Sequence, residues 1–243
     1  MNIIKLNAID STNSFLLRMA EKEVLSSYLV VQANYQSMGR GQRDNTWESK
    51  PGENLMFSMF YKGLKENSHA LSLINWAVSD ALFNCLETLN LQDLSIKWPN
   101  DIMSADKKIC GILIETKFSS QGLKYAVIGV GVNVNQESFS NNTKASSLKS
   151  ITGANFDLDQ LLGKLIEAIE FNLKQLSGDT SVELWQAKIN KNLFKINKVA
   201  MFQEPGKPPF VGMIQGVNQK NQLLIRKEDE SVHTFNHKEV IFL

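Results

Sequence analysis

Two apolar segments joined by a short polar stretch place the strongest constraint on the fold of this chain. Residues 109–118 (ICGILIETKF) and 125–135 (YAVIGVGVNVN) flank the stretch SSQG, and both are rich in β-branched residues. Their length and spacing predict two strands of an antiparallel hairpin. Such a hairpin, in a chain whose strands are interleaved with helices, indicates a mixed sheet rather than a doubly wound parallel one.

Further strands and helices alternate along the first 176 residues. Helical periodicity predicts a helix after the capping residues DSTN (10–13), continuing through FLLRMAEKEVL, and two more at 69–89 and 158–176. Apolar runs predict strands at 3–9, 28–35, 55–61 and 95–99, and SADKK (104–108) reads as a polar turn. We therefore predict an α+β fold, with a mixed, largely antiparallel sheet flanked by helices.

The pattern changes near residue 195, where short strands and turns replace helices. Five short apolar segments lie at 198–203, 209–218, 222–229, 231–236 and 239–243, separated by turns such as PGKPP and NQKN. Closely spaced short strands are typical of a small β-barrel. We predict two domains, 1–194 and 195–243.

Composition excludes several functional classes. Lys and Arg number 26 against 25 Asp and Glu, a net charge of +1, which argues against a broad nucleic-acid-binding face. The two cysteines, Cys85 and Cys110, suggest neither a disulfide framework nor a metal cluster, so we expect a reducing compartment, the cytoplasm. The N-terminus does not resemble a signal peptide, and no apolar run approaches the roughly 18 residues of a membrane span.

The stretch QSMGRGQRDNTW (36–47) fits no secondary-structure template. It follows one strand and precedes another, so it lacks the context of a dinucleotide-binding fingerprint. Its glycines and arginines would suit a loop that wraps an anion, because the guanidinium group matches phosphate and carboxylate oxygens. The alternative is a solvated surface loop.

Three other motifs carry polar or glycine residues at strand ends or inside strands. KWPND (97–101) would end a strand, Lys108 precedes the strand that contains Gly111, and Gly129 and Gly131 share one sheet face. Such a trough without side chains could hold a flat ligand. The alternatives are a turn and cap at Asn100 and Asp101, a solvated lysine, and a glycine-weakened strand.

Together, in order, DSTN, QSMGRGQRDNTW, PGENLMFS, KWPND, KKICGILIE and VIGVGVNVN resemble the biotin protein ligase family over nearly the whole chain. The resemblance implies a class II synthetase-like catalytic fold with an SH3-like C-terminal barrel. It also implies a reaction in which biotin and ATP, with Mg²⁺, give biotinoyl-5′-AMP. The biotinoyl group then passes to a lysine of the biotin carboxyl carrier protein, the biotinyl domain of a biotin-dependent carboxylase.

Family roles carry over by position. The resemblance implies that Lys108, Arg40 and Asp101 are catalytic, with Asp101 near Mg²⁺. The implied biotin-binding residues are Ser11, Thr12, Asn13, Gln36, Gly39, Arg40, Lys108, Gly111 and Gly129. The implied ATP- and adenylate-binding residues are Arg40, Gln42, Arg43, Trp47, Asn100, Lys108, Gly131 and Asn133.

Two departures from the family pattern matter. Gln42 and Asp44 stand where many relatives have arginine and glycine, so either the adenylate is held less tightly or Arg43 takes over its anchoring. The catalytic region also begins near Met1 without a helix-turn-helix segment, so DNA binding is not expected. A monomer and a homodimer both remain open.

Two rival functions remain. A lipoate–protein ligase would use a similar fold and a similar adenylation, and a non-catalytic protein would bind biotin or a nucleotide without turnover.

Overall fold

A seven-stranded mixed sheet forms the larger part of the molecule. The computed structural model describes residues 2–42, 45–64, 69–120, 122–139, 144–176 and 181–243. The strands are β1 (Ile3–Ile9), β2 (Val30–Gln36), β3 (Leu55–Tyr61), β4 (Leu94–Lys97), β5 (Asp101–Ser104), β6 (Lys107–Ser119) and β7 (Gly122–Val132). Their order is β1-β2-β3-β7-β6-β5-β4; β1 and β2 pair in parallel and the remaining pairs are antiparallel. The predicted fold class and the β6–β7 hairpin are confirmed.

The segment 94–108 differs from its prediction. The strand predicted at 95–99 ends at Lys97, and the peptide bond between Trp98 and Pro99 is cis. The predicted polar turn at 104–108 shrinks to residues 105–106, because Asp101–Ser104 pairs with both neighbouring strands. Four residues with one apolar pair give too little periodicity to reveal such a strand.

The described residues form five helices around the sheet: α1 (Thr12–Lys22), α2 (Ala70–Glu87), α3 (Leu148–Thr152), α4 (Leu158–Lys174) and α5 (Val182–Lys191). Helix α1 begins at Thr12 because the Ser11 hydroxyl caps it, accepting from the Ser14 backbone N–H. The three predicted helices are confirmed. Helix α5 was not predicted, since it buries only Trp185 and Ile189 and shows little apolar periodicity.

The last 45 residues form a second, five-stranded antiparallel sheet. Its strands are β8 (Val199–Gln203), β9 (Pro209–Val217), β10 (Leu223–Lys227), β11 (Val232–Phe235) and β12 (Ile241–Phe242), in the order β11-β10-β9-β8-β12. The five predicted strands are confirmed.

The two sheets share one hydrophobic core. A single buried cluster contains Phe57 and Ile128 of the larger sheet, Trp76 of α2, and Phe202 and Ile214 of the smaller sheet. On the opposite face of the larger sheet, α1 packs over a smaller cluster around Leu16. Helix α1 covers only part of this face of the larger sheet, and the uncovered part is available for a ligand-binding site.

Within the described ranges, no helix is both long enough and apolar enough to cross a membrane. Cys85 and Cys110 are both free thiols.

Asn221 joins the two sheets at the β9–β10 turn. Its side-chain oxygen accepts a hydrogen bond from Trp76 Nε1 at 2.9 Å, and its backbone carbonyl accepts one from Trp98 Nε1 at 2.8 Å. Its φ of 56° lies in the left-handed region, which asparagine tolerates better than most residues.

We expect Asn221→Gly to lower the free energy of unfolding by about 1–2 kcal/mol, because the Trp76 N–H loses its acceptor while the backbone conformation stays accessible. Asn221→Ala should lower the free energy of unfolding by about 1 kcal/mol more than Asn221→Gly does, because the left-handed backbone conformation is strained for alanine. Denaturant unfolding measures both values. The exposed neighbour variant Lys220→Ala should change stability by less than about 0.5 kcal/mol, and an unchanged Asn221→Gly variant would refute the assigned hydrogen bond.

Candidate active site

A glycine-lined trough on the α1 side of the larger sheet is the floor of a cavity of about 630 Å³. Gly111 and Gly131 face each other across β6 and β7, and Gly129 lies opposite Ser58 on β3. A Cβ at Gly129 would overlap the Asn13 amide, and one at Gly131 would overlap the Trp47 indole. The glycines therefore let two side chains from other elements lie directly against the sheet.

Buried polar side chains form one end of the trough. The Gln36 side-chain oxygen accepts from the Thr12 backbone N–H at 2.8 Å and from the Thr12 hydroxyl at 3.0 Å. The Ser58 hydroxyl lies 2.7 Å from Thr12 Oγ1 and 2.5 Å from Asn13 Oδ1. Ser11, Thr12 and Asn13 are each only 3% exposed. This end of the cavity suits a small group that both donates and accepts hydrogen bonds.

The start of α1 is held in place by an ion pair beside this cluster. The Arg18 guanidinium donates hydrogen bonds to both carboxylate oxygens of Asp10, eight positions earlier in the sequence, at 2.7 and 3.0 Å. Its hydrogen bonds lower the pKa of Asp10 to about 2, so this carboxylate stays ionised at neutral pH. The pair fixes the residue that precedes Ser11.

Beside and beyond this cluster the trough is cationic, and two of its cations are already paired. Lys108 Nζ lies 2.7 Å from Asp101 Oδ1 and 5.5 Å from the centre of the Trp47 ring. Arg40 Nη2 lies 2.6 Å from Glu115 Oε2, which also accepts from the Asn13 amide at 2.8 Å. A ligand that carries a carboxylate or phosphate would meet both cations here.

The loop after β2 folds back over the trough. Trp47 N–H donates to the Gly39 carbonyl at 2.9 Å, and Gly41 N–H donates to the Asn45 carbonyl at 2.7 Å. A Cβ at Gly39 would lie 2.5 Å from the Trp47 carbonyl oxygen, so the loop requires glycine there. Trp47 Nε1 and Gln42 Oε1 are buried without a hydrogen-bond partner among the described residues, which leaves one donor and one acceptor for a ligand.

Most of the residues predicted for the site line one cavity. These are Ser11, Thr12, Asn13, Gln36, Arg40, Gln42, Trp47, Asn100, Asp101, Lys108, Gly111, Gly129 and Gly131. Asn100 also donates its amide to the Ile112 carbonyl at 2.7 Å, which ties the KWPND turn to β6. Arg43, together with Asp44, lies outside the described residues.

Two predicted residues lie outside the cavity lining in the described structure. Gly39 instead lies against the Trp47 backbone inside the loop, where its carbonyl accepts a hydrogen bond from the Trp47 N–H. Asn133 is 3% exposed and donates its amide to the Ser146 carbonyl at 3.0 Å. Asn133 therefore fastens the segment before α3 to the end of β7.

Sequence reasoning missed three polar residues of the site: Ser58, Glu115 and Lys97. Ser58 is the lone polar residue of the strand LMFSMFY, and Glu115 ends the motif GILIE. Lys97 opens KWPND and lines the cavity. A polar residue inside an apolar strand was the available signal for the first two.

The donor set has little capacity for a resident metal. Within the described ranges, no group of three His, Cys, Asp or Glu side chains could hold an ion, and Asp101 is the carboxylate that lines the cavity. Mg²⁺ commonly binds one or two protein carboxylates together with substrate phosphates. Asp101 thus fits a Mg²⁺ ion that enters with a polyphosphate.

Comparison with known proteins places these features in a family. Residues 6–133, more than half of the chain, match the model of the biotin/lipoate A/B protein ligase family. The chain is 35% identical over 134 residues to the bifunctional ligase/repressor BirA of Salmonella typhimurium, covering 55% of this chain but 41% of that protein. It is 27% identical over 233 residues to BirA of Escherichia coli, covering 93% of this chain and 70% of that protein.

A solved structure is similar over the whole length. The biotin protein ligase from Aquifex aeolicus, in complex with biotin and ATP, superposes with a TM-score of 0.77 at 27% sequence identity. The match covers 100% of this chain and 98% of that chain.

We expect Gly131→Ala to displace the Trp47 indole, because the new methyl group would occupy the space of the ring. Acrylamide quenching of indole fluorescence should increase, and it should not increase when Trp47 is first replaced by Phe. Gly163→Ala is the matched control, since a Cβ there meets nothing within 4 Å. Equal quenching of Gly131→Ala and the parent would show that the ring does not rest on Gly131.

Proposed function

Because this chain belongs to the biotin/lipoate A/B protein ligase family, we propose that it is a biotin–protein ligase, an enzyme that activates biotin with ATP and transfers it to a protein lysine. The buried hydrogen-bonding cluster of Thr12, Gln36, Ser58 and Asn13 at one end of the glycine trough is the observation that carries the choice of biotin. The ureido ring of biotin is flat and has both N–H donors and a carbonyl acceptor. The dithiolane ring of lipoate has neither, so it could not exchange hydrogen bonds with this cluster.

In the first step, a carboxylate oxygen of biotin attacks the α-phosphorus of ATP. The new bond is an acyl–phosphate anhydride, and the bond to the β-phosphate oxygen breaks, so pyrophosphate leaves with the electron pair. Two anions approach each other in this step, and positioned cations reduce their repulsion. Lys108 and Arg40 are suited to this role, with Lys108 as the main electrostatic catalyst.

Both cations must exchange partners when the substrates arrive. Asp101 holds Lys108 and Glu115 holds Arg40 in the described structure. These carboxylates keep the cations positioned at low cost before substrate binds. Trp47 would then cover the adenylate and exclude water, which would otherwise hydrolyse the anhydride.

In the second step, the ε-amine of an acceptor lysine attacks the biotinoyl carbonyl and AMP leaves. The family resemblance supports a biotin carboxyl carrier domain of a biotin-dependent carboxylase as the acceptor. We further propose that Mg²⁺ enters with ATP and neutralises phosphate charge near Asp101.

Residues 1–194 would bind biotin and ATP, and residues 195–243 would form the appended barrel. The free thiols of Cys85 and Cys110 support a reducing location, the cytoplasm.

Substrate choice tests the proposal directly. Purified protein with ATP and Mg²⁺ should release pyrophosphate when biotin is added, and little when lipoate is added. Release with lipoate but not biotin would establish the rival ligase. Binding of biotin without pyrophosphate release, or release without transfer to a carrier domain, would favour a non-catalytic role or another acceptor.

We expect Lys108→Ala to lower the rate of the first step by about 10²–10³-fold or more, since it removes a cation aimed at the developing charge. Lys124→Ala, on the exposed side of β7, is the control and should retain full activity. The double variant Lys108→Ala/Asp101→Asn separates causes. Recovery of activity in the double variant would show that the unpaired Asp101 carboxylate, rather than the missing ammonium, causes the loss.

A further inference from the structure

Two fully buried amide side chains join two segments of the chain beside the cavity. Asn54 directly precedes β3, Gln136 follows β7, and both are 0% exposed. The Asn54 side-chain nitrogen donates to the Gln136 side-chain oxygen at 2.6 Å. Neither residue is among the described residues that line the cavity. Any part that they play in the chemistry must therefore pass through other residues.

Every nitrogen and oxygen of these two amides has a partner. Gln136 Oε1 also accepts from the Lys50 backbone N–H at 3.0 Å, and Gln136 Nε2 donates to the Ser138 carbonyl at 2.7 Å. Asn54 Oδ1 accepts from the Val134 backbone N–H at 2.9 Å. Because a backbone N–H only donates, these contacts fix which way each amide faces. The pair, called the amide clasp below, joins the segment before β3 to the segment after β7.

The segment before β3 is the end of the loop that carries Trp47. Lys50, whose N–H the clasp binds, follows Trp47 by three positions, so their Cα atoms are at most about 11 Å apart. On the other side of the ring, the Trp47 N–H is bound to the Gly39 carbonyl at 2.9 Å. The clasp is therefore one of two fixed points between which the indole is held on Gly131.

The segment after β7 is itself fixed to the rest of the fold. The Asn133 N–H donates to the Ile109 carbonyl at 2.9 Å, and the Asn135 amide exchanges hydrogen bonds with the Phe156 backbone at 2.9 and 3.0 Å. The described part of the Trp47 loop, in contrast, contains only an isolated bridge between Arg40 and Thr46. The clasp thus connects an irregular loop to a segment that the sheet holds in place.

We propose that Asn54 and Gln136 are positioning residues for Trp47, and that they set how long the enzyme retains biotinoyl-AMP. This inference rests on the proposed function, in which Trp47 covers the adenylate. With the clasp intact, the ring stays on the glycines and excludes water from the anhydride. Without it, the Lys50 end of the loop is released, and the adenylate is lost before an acceptor lysine arrives.

Loss of the clasp affects retention of the adenylate more than its formation. In the described structure, the clasp amides make no hydrogen bond to the polar cluster at the far end of the trough or to the Lys108 side chain. Biotin and ATP would therefore still meet the same reacting groups. A merely structural role for the two amides predicts a lower free energy of unfolding without a change in retention.

Pyrophosphate release without an acceptor protein measures formation and retention separately. The first equivalent of pyrophosphate per protein reports formation of the adenylate. Each later equivalent requires that one adenylate has been lost. Either water adds to the anhydride and gives biotin and AMP, or biotinoyl-AMP leaves intact; a new biotin and a new ATP then react.

The test uses the full chain with two substitutions of Gln136. Gln136→Met keeps the length of the side chain and removes its hydrogen bonds, including the one from Lys50. Gln136→Asn keeps the amide but is one methylene shorter, so it is the milder variant and the safer one for folding. Asn135→Ala is the matched control, because it removes two hydrogen bonds of the adjacent amide that hold the same segment to Phe156 rather than to the Trp47 loop.

We expect Gln136→Met to raise the later rate of pyrophosphate release by about tenfold and to change the rate of the first equivalent by less than about threefold. Gln136→Asn should raise the later rate by about threefold. Acrylamide quenching of indole fluorescence should increase in both variants, and it should not increase when Trp47 is first replaced by Phe. Asn135→Ala should match the parent in both rates, although it too loses hydrogen bonds.

An unchanged later rate in both Gln136 variants, or an equal increase in Asn135→Ala, would overturn the positioning role and leave the clasp a purely structural feature. A parent chain that releases no pyrophosphate with biotin and ATP would instead overturn the proposed function itself.

Discussion

Gly111, Gly129 and Gly131 leave a bare strip at the centre of the larger sheet, and the arrangement of the site follows from it. Asn13 from the start of α1 and Trp47 from the loop after β2 lie directly against the backbone of β6 and β7 because no Cβ intervenes. A side chain at any of these glycines would lift one or both away from the sheet. The opposite face of the same sheet packs on the main hydrophobic core.

Charge along the trough is arranged in two different ways. Arg40 and Lys108 are each neutralised by a carboxylate of the protein, so the free site carries little unbalanced charge where the reacting groups would meet. Lys97, at the edge strand, lacks such a partner in the described structure and has aromatic rings instead. Exchange of partners at the first two positions costs little net Coulomb energy, whereas an anion at Lys97 adds an interaction that the free protein does not have.

Local motifs made much of this site predictable from one sequence. The glycines, Lys108 and Asp101 lie within short stretches whose residue types already point to a ligand, and the two long strands that carry the glycines are apolar enough to be predicted. Glu115 and Ser58 stand out in the sequence only as polar residues inside apolar strands, and their roles depend on partners brought close by strand register: Glu115 meets Arg40 from 75 positions away, and Ser58 lies opposite Gly129. Register is set by the whole sheet, and a single sequence does not state it. Helix α5 was not predicted for a similar reason: its two buried residues, Trp185 and Ile189, are buried by tertiary packing and do not form an apolar periodicity in the sequence.

The bond network around Asn221 has a thermodynamic consequence for the cavity. Trp76, Trp98 and the β9–β10 turn are joined through one residue, and Trp98 directly follows Lys97. Because the buried core is continuous across both sheets, we expect the two sheets to unfold together. Any ligand held at the Lys97 end would therefore raise the melting temperature of the smaller sheet as much as that of the larger one, because the two share one unfolding equilibrium.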